Sequence, residues 1–470
     1  MQKKGVFTGR FGSLAVLEFN ATIYLVDKLT VMKALRIIAL LCCLFIVRLE
    51  AQTPAAQNKS ASFIAVSDIH LDSSNTATWE AAAKTITQIA QGKTGSSKPS
   101  FILYLGDLPV HSDPRSSAQV ANAMNEAGIA LKDLRGIAEQ ANIPLLYVPG
   151  NNDSYTGDYH VFDTIVFKKD NIGADRWPVI PGNKPISHGQ DPYIGDQSLF
   201  QLGCYTAFPL GRAVPFKVIA LNTVMFSEQH TDSVGMAYNY SNEHPEWRQQ
   251  HVDLEVRWLF QQLQSAQDSG QQVLIAMHIP PGIDGYTGAN SLGIGGKLMW
   301  DSTLKYQGRV KVEDFFVALI DTYKANIVGL IGGHTHLDGI RIVQVQNNAP
   351  IMTYISVPAI SADHGNNSSF KVVEFDPAQK FALTNFVTYY HRKTDPILQF
   401  DSTYSFNQTF ENSNGLSILG RVQQIFSQDN SNWQSRLSVY LDKIYSTNNG
   451  PSYSISNDSQ VTLYIRGQDQ

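Results

Sequence analysis

Five short polar motifs, each standing directly after an apolar, strand-like run, constrain this chain more than any other feature. They are Asp68-Ile69-His70, Gly106-Asp107, Gly150-Asn151-Asn152-Asp153, Met277-His278-Ile279-Pro280 and Gly333-His334-Thr335-His336. The runs ahead of them, Ser62–Ser67, Phe101–Leu105, Leu145–Val148, Val273–Ala276 and Ile327–Ile331, read as buried strands, and Lys217–Leu221 as one more. Helical periodicity falls between them at Trp79–Ala90, Ser117–Gln140, Trp247–Ala266 and Val312–Tyr323. This alternation predicts an α/β layered domain. Strands near 340–345, 351–356 and 370–375, with no helix between them, make its sheets part parallel and part antiparallel. In open α/β sheets, ligands collect beyond the carboxyl ends of the strands, which is where every motif falls.

The side chains at these five ends are oxygen and nitrogen donors. Asp68 and His70 are two residues apart, so continued strand geometry would turn both to one side, and His334 and His336 repeat the spacing. Asp107 follows Gly106, whose missing side chain leaves room for metals near the backbone, and a carboxylate there can bridge two ions. Asn151 offers a neutral amide oxygen, which keeps the site from becoming too negative to accept phosphate. His278 stands where a strand breaks into Pro280-Pro281-Gly282. These donors predict two divalent ions, roughly 3.5–4 Å apart, that clamp a phosphate and activate water between them. The expected metal ligands are Asp68, His70, Asp107, Asn151, His278, His334 and His336. His278, His334 and Asn151 are also expected beside the substrate phosphoryl group.

The ordered set resembles the calcineurin-like metallophosphoesterases and, more narrowly, the acid sphingomyelinase-like phosphodiesterases. The narrower likeness rests on Gly106-Asp107-Leu108-Pro109-Val110-His111, Gly333-His334-Thr335-His336-Leu337-Asp338, Ser369-Phe370-Lys371-Val372 leading to Asp376, and Tyr404-Ser405-Phe406. It implies the layered fold of that family and a dinuclear centre. Asp68, His70, Asp107 and His336 would hold one ion, and Asp107, Asn151, His278 and His334 the other. Zinc is the family's usual metal; nitrogen and oxygen ligands also admit manganese or iron. A metal-bridging hydroxide would attack phosphorus in line. One departure matters. Where the family's Gly-Asn-His motif supplies a leaving-group acid, this chain has Asn152, and an amide delivers no proton. His111, matching a family histidine four residues after Asp107, is the first replacement, and His160 the second. The Gly-Asn-Asn-Asp form also looks like the endopolyphosphatase branch, which brings phosphoanhydrides in beside phosphodiesters.

The remaining sequence sets the context. Lys33 and Arg36 precede the apolar run Ile37–Val47, which is short for a membrane span and suits a signal peptide. Residues 1–51 are therefore expected to be an N-terminal extension and signal, 52–61 a linker, 62–376 the catalytic domain and 377–470 a small C-terminal helical subdomain. That last expectation rests on amphipathic patterns at Ile418–Phe426 and Trp433–Tyr445. Loss of 1–51 takes away seven basic and three acidic residues and moves the formal charge from −5 to −9. An acidic product, secreted or periplasmic and with no stable membrane span, has no footprint for a nucleic-acid polymer. Cys204 would be its one cysteine. The loop-rich stretch 154–215 is expected to frame the site. Gly293-Ile294-Gly295-Gly296-Lys297 lacks phosphate-loop spacing and reads as a lid. The sequence thus predicts an exported dinuclear phosphodiesterase acting on small phosphoesters. A polyphosphatase or nucleotide pyrophosphatase is the alternative within hydrolases, and a metal-bound, catalytically weak scaffold the alternative outside them.

Overall fold

The first strand, Ala61–Val66 (β1), is buried on both faces, as a parallel strand covered from two sides must be. A computed structural model gives the fold and describes residues 60–94, 97–111, 116–153, 158–159, 193–227, 245–282, 298–345, 349–364, 366–392, 395–428 and 461–463. After β1 come Ile102–Tyr104 (β2) and Leu145–Tyr147 (β3), separated by the helices Thr76–Ala90 (α1) and Ser117–Ala141 (α2). A capping box starts α2: Gln119 N–H donates to Ser116 Oγ while Gln119 Oε1 accepts from Ser116 N–H. The second half contains Tyr205–Ala207 (β4), Phe216–Ala220 (β5), the helix Pro245–Asp268 (α3), Gln272–Ala276 (β6) and the hairpin Lys305–Tyr306 (β7) with Val310–Lys311 (β8). The helix Val312–Tyr323 (α4), Ile327–Gly332 (β9), Gly339–Val343 (β10) and Met352–Ser356 (β11) follow. The chain then adds Ser368–Asp376 (β12), Ala382–His391 (β13), Ser402–Ser405 (β14), the helices Phe406–Thr409 (α5) and Ile418–Gln428 (α6), and Val461–Leu463 (β15).

Two mixed sheets result, ordered β14-β13-β12-β1-β2-β3 and β15-β10-β11-β9-β6-β5-β4. In the first, the parallel strands β1-β2-β3 form one edge and the antiparallel strands β12, β13 and β14 the other; in the second, a parallel centre β5-β6-β9-β11 has antiparallel strands on both sides. The sheets meet through aromatic side chains: the Phe216 ring of the second lies 5.5 Å from Phe375 and 6.3 Å from Phe101 of the first. Trp79, Ile86, Leu131 and Leu134 of α1 and α2 join the core of the first sheet. Val252, Leu259, Phe316 and Ile320 of α3 and α4 pack with Ile275 and Leu330 of the second. The layered α/β fold expected from the alternation is borne out.

The C-terminal expectation needs correction. β13 pairs with β12 along its whole length, from Ser368↔His391 to Asp376↔Ala382, so the chain does not leave the domain at residue 376. β14 continues the same sheet, and the described helices of this region are the short α5 and α6. The cause is legible in hindsight. Ala382–His391 buries roughly every second side chain, Leu383, Phe386, Thr388 and Tyr390 among them, which is strand rather than helix periodicity. Trp433–Tyr445, the Gly293–Lys297 lid and the signal segment lie outside the described residues. Within 154–215, the described part holds β4, a strand that the loop reading passed over.

Candidate metal centre

β1, β2 and β3 of the first sheet and β6 and β9 of the second end at one place, and the chain turns sharply beyond each. Asp68 (φ 48°), His70 (φ 43°), Asp107 (φ 63°), His334 (φ 72°) and His336 (φ 56°) all lie in the left-handed region. A side chain there costs about 1–3 kcal/mol and persists only where its surroundings over-determine it. Backbone bonds between the turns do so: Asp68 N–H donates to Gly106 O (2.9 Å), His70 N–H to Asp107 O (3.2 Å) and Gly333 N–H to His278 O (3.1 Å). Convergence of Asp68 with His70 therefore comes from left-handed turns past the strand ends, not from the strand alternation that the spacing suggested. Gly106 (φ 98°) also has a different reason from the one expected. A Cβ there would meet the Gly150 backbone at 2.5 Å and His278 Nδ1 at 2.9 Å, so the room it leaves is filled by protein.

All seven expected ligands come together, buried except for a half-buried His334. In one group, Asp68 Oδ1 lies 3.8 Å from His70 Nε2 and 3.6 Å from His336 Nε2, and those two nitrogens are 3.0 Å apart. In the other, Asn151 Oδ1 lies 3.0 Å from His278 Nε2 and 2.9 Å from His334 Nδ1. Asp107 Oδ2 sits between the groups, 3.7 Å from His70 Nε2 and 3.3 Å from His278 Nε2. The back nitrogens are fixed: His70 Nδ1–H donates to Pro109 O (2.8 Å) and His278 Nδ1–H to Leu105 O (2.6 Å), which aims each Nε2 inward. The donor set fits two cations. Asp68 Oδ1 is buried without a hydrogen-bond partner among the described residues, and it faces three imidazole nitrogens at 3.6–3.9 Å.

Charge cuts across this division, with one raised and one lowered imidazole in each group. Burial pulls the His70 and His278 imidazoles down, but the Asp68 and Asp107 carboxylates outweigh it and hold both near pKa 9. His334 and His336 are pushed well below the usual histidine value, by burial first and then by neighbouring imidazoles. Burial pushes Asp107 up, yet His278 and His70 win and hold its carboxyl well below the ordinary range.

Two residues do more than their sequence reading allowed. Asp153, quoted in its motif but given no role, accepts three backbone N–H bonds, from Gly150 (2.6 Å), Asp107 (2.9 Å) and Leu108 (2.9 Å). It locks the β3 turn to the β2 turn. An acidic residue closing a Gly-Asn-Asn turn was the available signal. Asn152, expected at the position of the acid, is buried and holds Asp107: its backbone N–H donates to Oδ1 (2.9 Å) and its Nδ2 to Oδ2 (2.8 Å). His111 is at the mouth, exposed, its ring stacked 4.5 Å from that of His70 and its Nδ1 2.9 Å from Asp158 Oδ2. His160 lies outside the described residues. Of the residues expected beside the phosphoryl group, His278 and Asn151 are fully buried, so His334 is the one that reaches the surface. His364, which spacing did not single out, is exposed with its ring edge-on to His336 at 4.3 Å. Thr223, just past β5, supports the site: its Oγ1 accepts from Ile279 N–H (2.9 Å) directly behind His278.

The sequence model of the calcineurin-like phosphoesterases matches residues 61–338, from β1 to the end of the His334–His336 turn. The chain belongs to the calcineurin-like phosphoesterase family. Among curated relatives it is similar to cyclic GMP-AMP phosphodiesterase SMPDL3A of Rattus norvegicus, 20% identical over 353 residues that cover 72% of this chain and 68% of that one. It is also similar to acid sphingomyelinase-like phosphodiesterase 3b of Mus musculus, 24% identical over 212 residues, 42% of this chain and 40% of that one. It is similar in structure to a dimetal phosphatase from Danio rerio at 11% identity over 73% of this chain and 98% of that one, with a TM-score of 0.42. Family membership makes the chain a phosphoric ester hydrolase, as the motifs led one to expect.

Proposed function

We propose that the protein is an exported phosphodiesterase that cleaves small, soluble phosphodiesters at a dinuclear metal centre. The observation that carries this reading is the convergence of Asp68, His70, Asp107, Asn151, His278, His334 and His336 into two groups that share Asp107. Two divalent ions bound there supply Lewis acidity to the phosphoryl oxygens and acidify a water; zinc is first in line, with manganese or iron also suited to these ligands. His334, half-buried at the edge of its group, is placed to donate an N–H hydrogen bond to the phosphoryl oxygens. His111 is the leaving-group acid. As the imidazolium, His111 donates Nδ1–H to Asp158 and has Nε2–H to give to the departing oxygen, which leaves the neutral Nδ1–H form. Asn152 is spent on holding Asp107 and cannot share that task. The names of the SMPDL3A and 3b relatives support a phosphodiester substrate. The acidic charge of the chain after loss of residues 1–51 argues against nucleic-acid polymers.

Asn152 also supports a second reading, a polyphosphatase or nucleotide pyrophosphatase. A phosphate leaving group needs little protonation, so an anhydride tolerates the loss of the family acid better than an alkyl ester does. The test is a side-by-side assay of metal-stripped protein refilled with zinc or manganese, on an alkyl phosphodiester, ATP and polyphosphate. Metal-dependent turnover greatest on the diester upholds the first reading, and turnover confined to ATP or polyphosphate replaces it with the second. Turnover on none of them, with two ions bound, removes both. Export has its own check: N-terminal sequencing of protein recovered outside the cytoplasm should begin at Gln52, and an intact Met1 or Met32 start would reject cleavage after Ala51.

A further inference from the structure

Three fragments that carry the family resemblance each include a residue given no metal role: Asp338, Lys371 and Tyr404. In the fold they meet at one buried point. Lys371 Nζ donates to Asp338 Oδ1 (2.6 Å) and to Thr388 Oγ1 (2.8 Å), and Thr388 Oγ1 donates to Asp338 Oδ2 (2.7 Å). Tyr404 OH donates to the same Oδ2, and Lys371 Nζ stands 3.6 Å from the centre of the Phe386 ring. Lys371, Thr388 and Tyr404 lie directly opposite one another across β12, β13 and β14 of the first sheet. Asp338 belongs to the second sheet's side, two residues past His336 at the end of the turn that follows β9.

We infer that Asp338 is a positioning residue for the metal centre, anchored by the Lys371–Thr388–Tyr404 row of the first sheet. That sheet already supplies Asp68, Asp107 and Asn151. Through Asp338 it also sets where His334 and His336 stand, and the C-terminal strand β14 becomes part of the centre's scaffold. Two physical arguments favour position over bulk stability. A buried ion pair adds little net stability over apolar packing, because desolvation offsets the attraction. A carboxylate satisfied by donors from three strands has, by contrast, one place where all its bonds close. The turn that it ends holds two left-handed histidines, a conformation that must be imposed from outside.

The inference rests on the dinuclear reading, and cobalt loading separates the two. The parent should hold two cobalt ions. Fewer than two would end the dinuclear reading and this inference with it. The double variant Asp338→Asn/Lys371→Met removes both charges and leaves no lone buried ion. With a metal-free melting curve near the parent's, it should lose cobalt to a chelator about 10–100-fold more readily and show an altered cobalt absorption spectrum. Tyr404→Phe removes one hydroxyl and should move both readouts the same way by a smaller factor. Parent-like retention and spectrum in both variants would overturn the inference. If the double variant does not fold, Tyr404→Phe decides alone, parent-like behaviour counting against the proposal.

Discussion

The floor and the mouth of the metal centre are built in opposite ways. On the floor, each carboxylate is held by backbone donors: Asp153 by three, Asp107 by the N–H and amide of Asn152, and Asp68 by His334 N–H together with the Ser67 hydroxyl. At the mouth, His111 keeps a 45% exposed side chain, fastened by Asp158 and by stacking on His70, and His364 rests edge-on against His336. Ligand positions are thus over-determined, while the groups that would meet a leaving group hang on few contacts. Asn152, at the position where the resemblance implies an acid, is buried against Asp107 and belongs to the floor.

The strongest attempt to break this contrast removes the shared carboxylate. Asp107→Asn should abolish turnover and lower the bound metal below two per chain. A variant that kept both would mean that the floor does not depend on its bridging position. Next in size is the mouth. His111→Ala should slow hydrolysis of an alkyl phosphodiester about 10²–10⁴-fold while hardly touching a p-nitrophenyl ester, whose leaving group needs no proton. Equal slowing of both would show that His111 binds or supports rather than protonates. A smaller effect is expected from Asp153→Asn, which weakens three backbone bonds without touching a ligand. Metal affinity should fall about 10–100-fold, and an unchanged affinity in a competition assay would mean that the turns hold without it.

The smallest effect is electrostatic and belongs to the floor alone. In the metal-free protein His70 and His278 have pKa values raised to about 9, from 6.5. Their contribution to stability is therefore fully present below about pH 6.5 and is lost as the pH rises through about 9. Urea unfolding of the metal-free protein should show stability declining across that window. The metal-loaded protein should not follow, since those nitrogens then face cations, and binding at neutral pH should release protons that calorimetry in buffers of different ionisation enthalpy can count. Parallel pH curves for the two forms would contradict the charge assignment.

Much of this was legible in one dimension. Strand identity, the parallel alternation and the seven donor residues followed from apolar runs that ended in Asp, Asn or His, because a buried parallel strand and a polar strand end leave marks in local sequence. β13 was legible too, but its alternation was outweighed by the amphipathic helix patterns that follow it. Other features left no local trace. The left-handed backbone at Asp68, His70, Asp107, His334 and His336 has no glycine to announce it. The roles of Asp153 and Asn152 depend on the distance between the β2 and β3 turns.

By itself, then, the sequence determined which side chains could hold metal and at which ends of which strands, since both are properties of short segments. Only the tertiary structure decided how those donors divide, with His334 beside Asn151 and His336 beside Asp68 although one residue separates them in the chain. It also decided that Asp338 would meet Lys371, Thr388 and Tyr404. Such meetings are set by the packing of one sheet on the other, and no local pattern encodes a distance between residues that far apart in the chain.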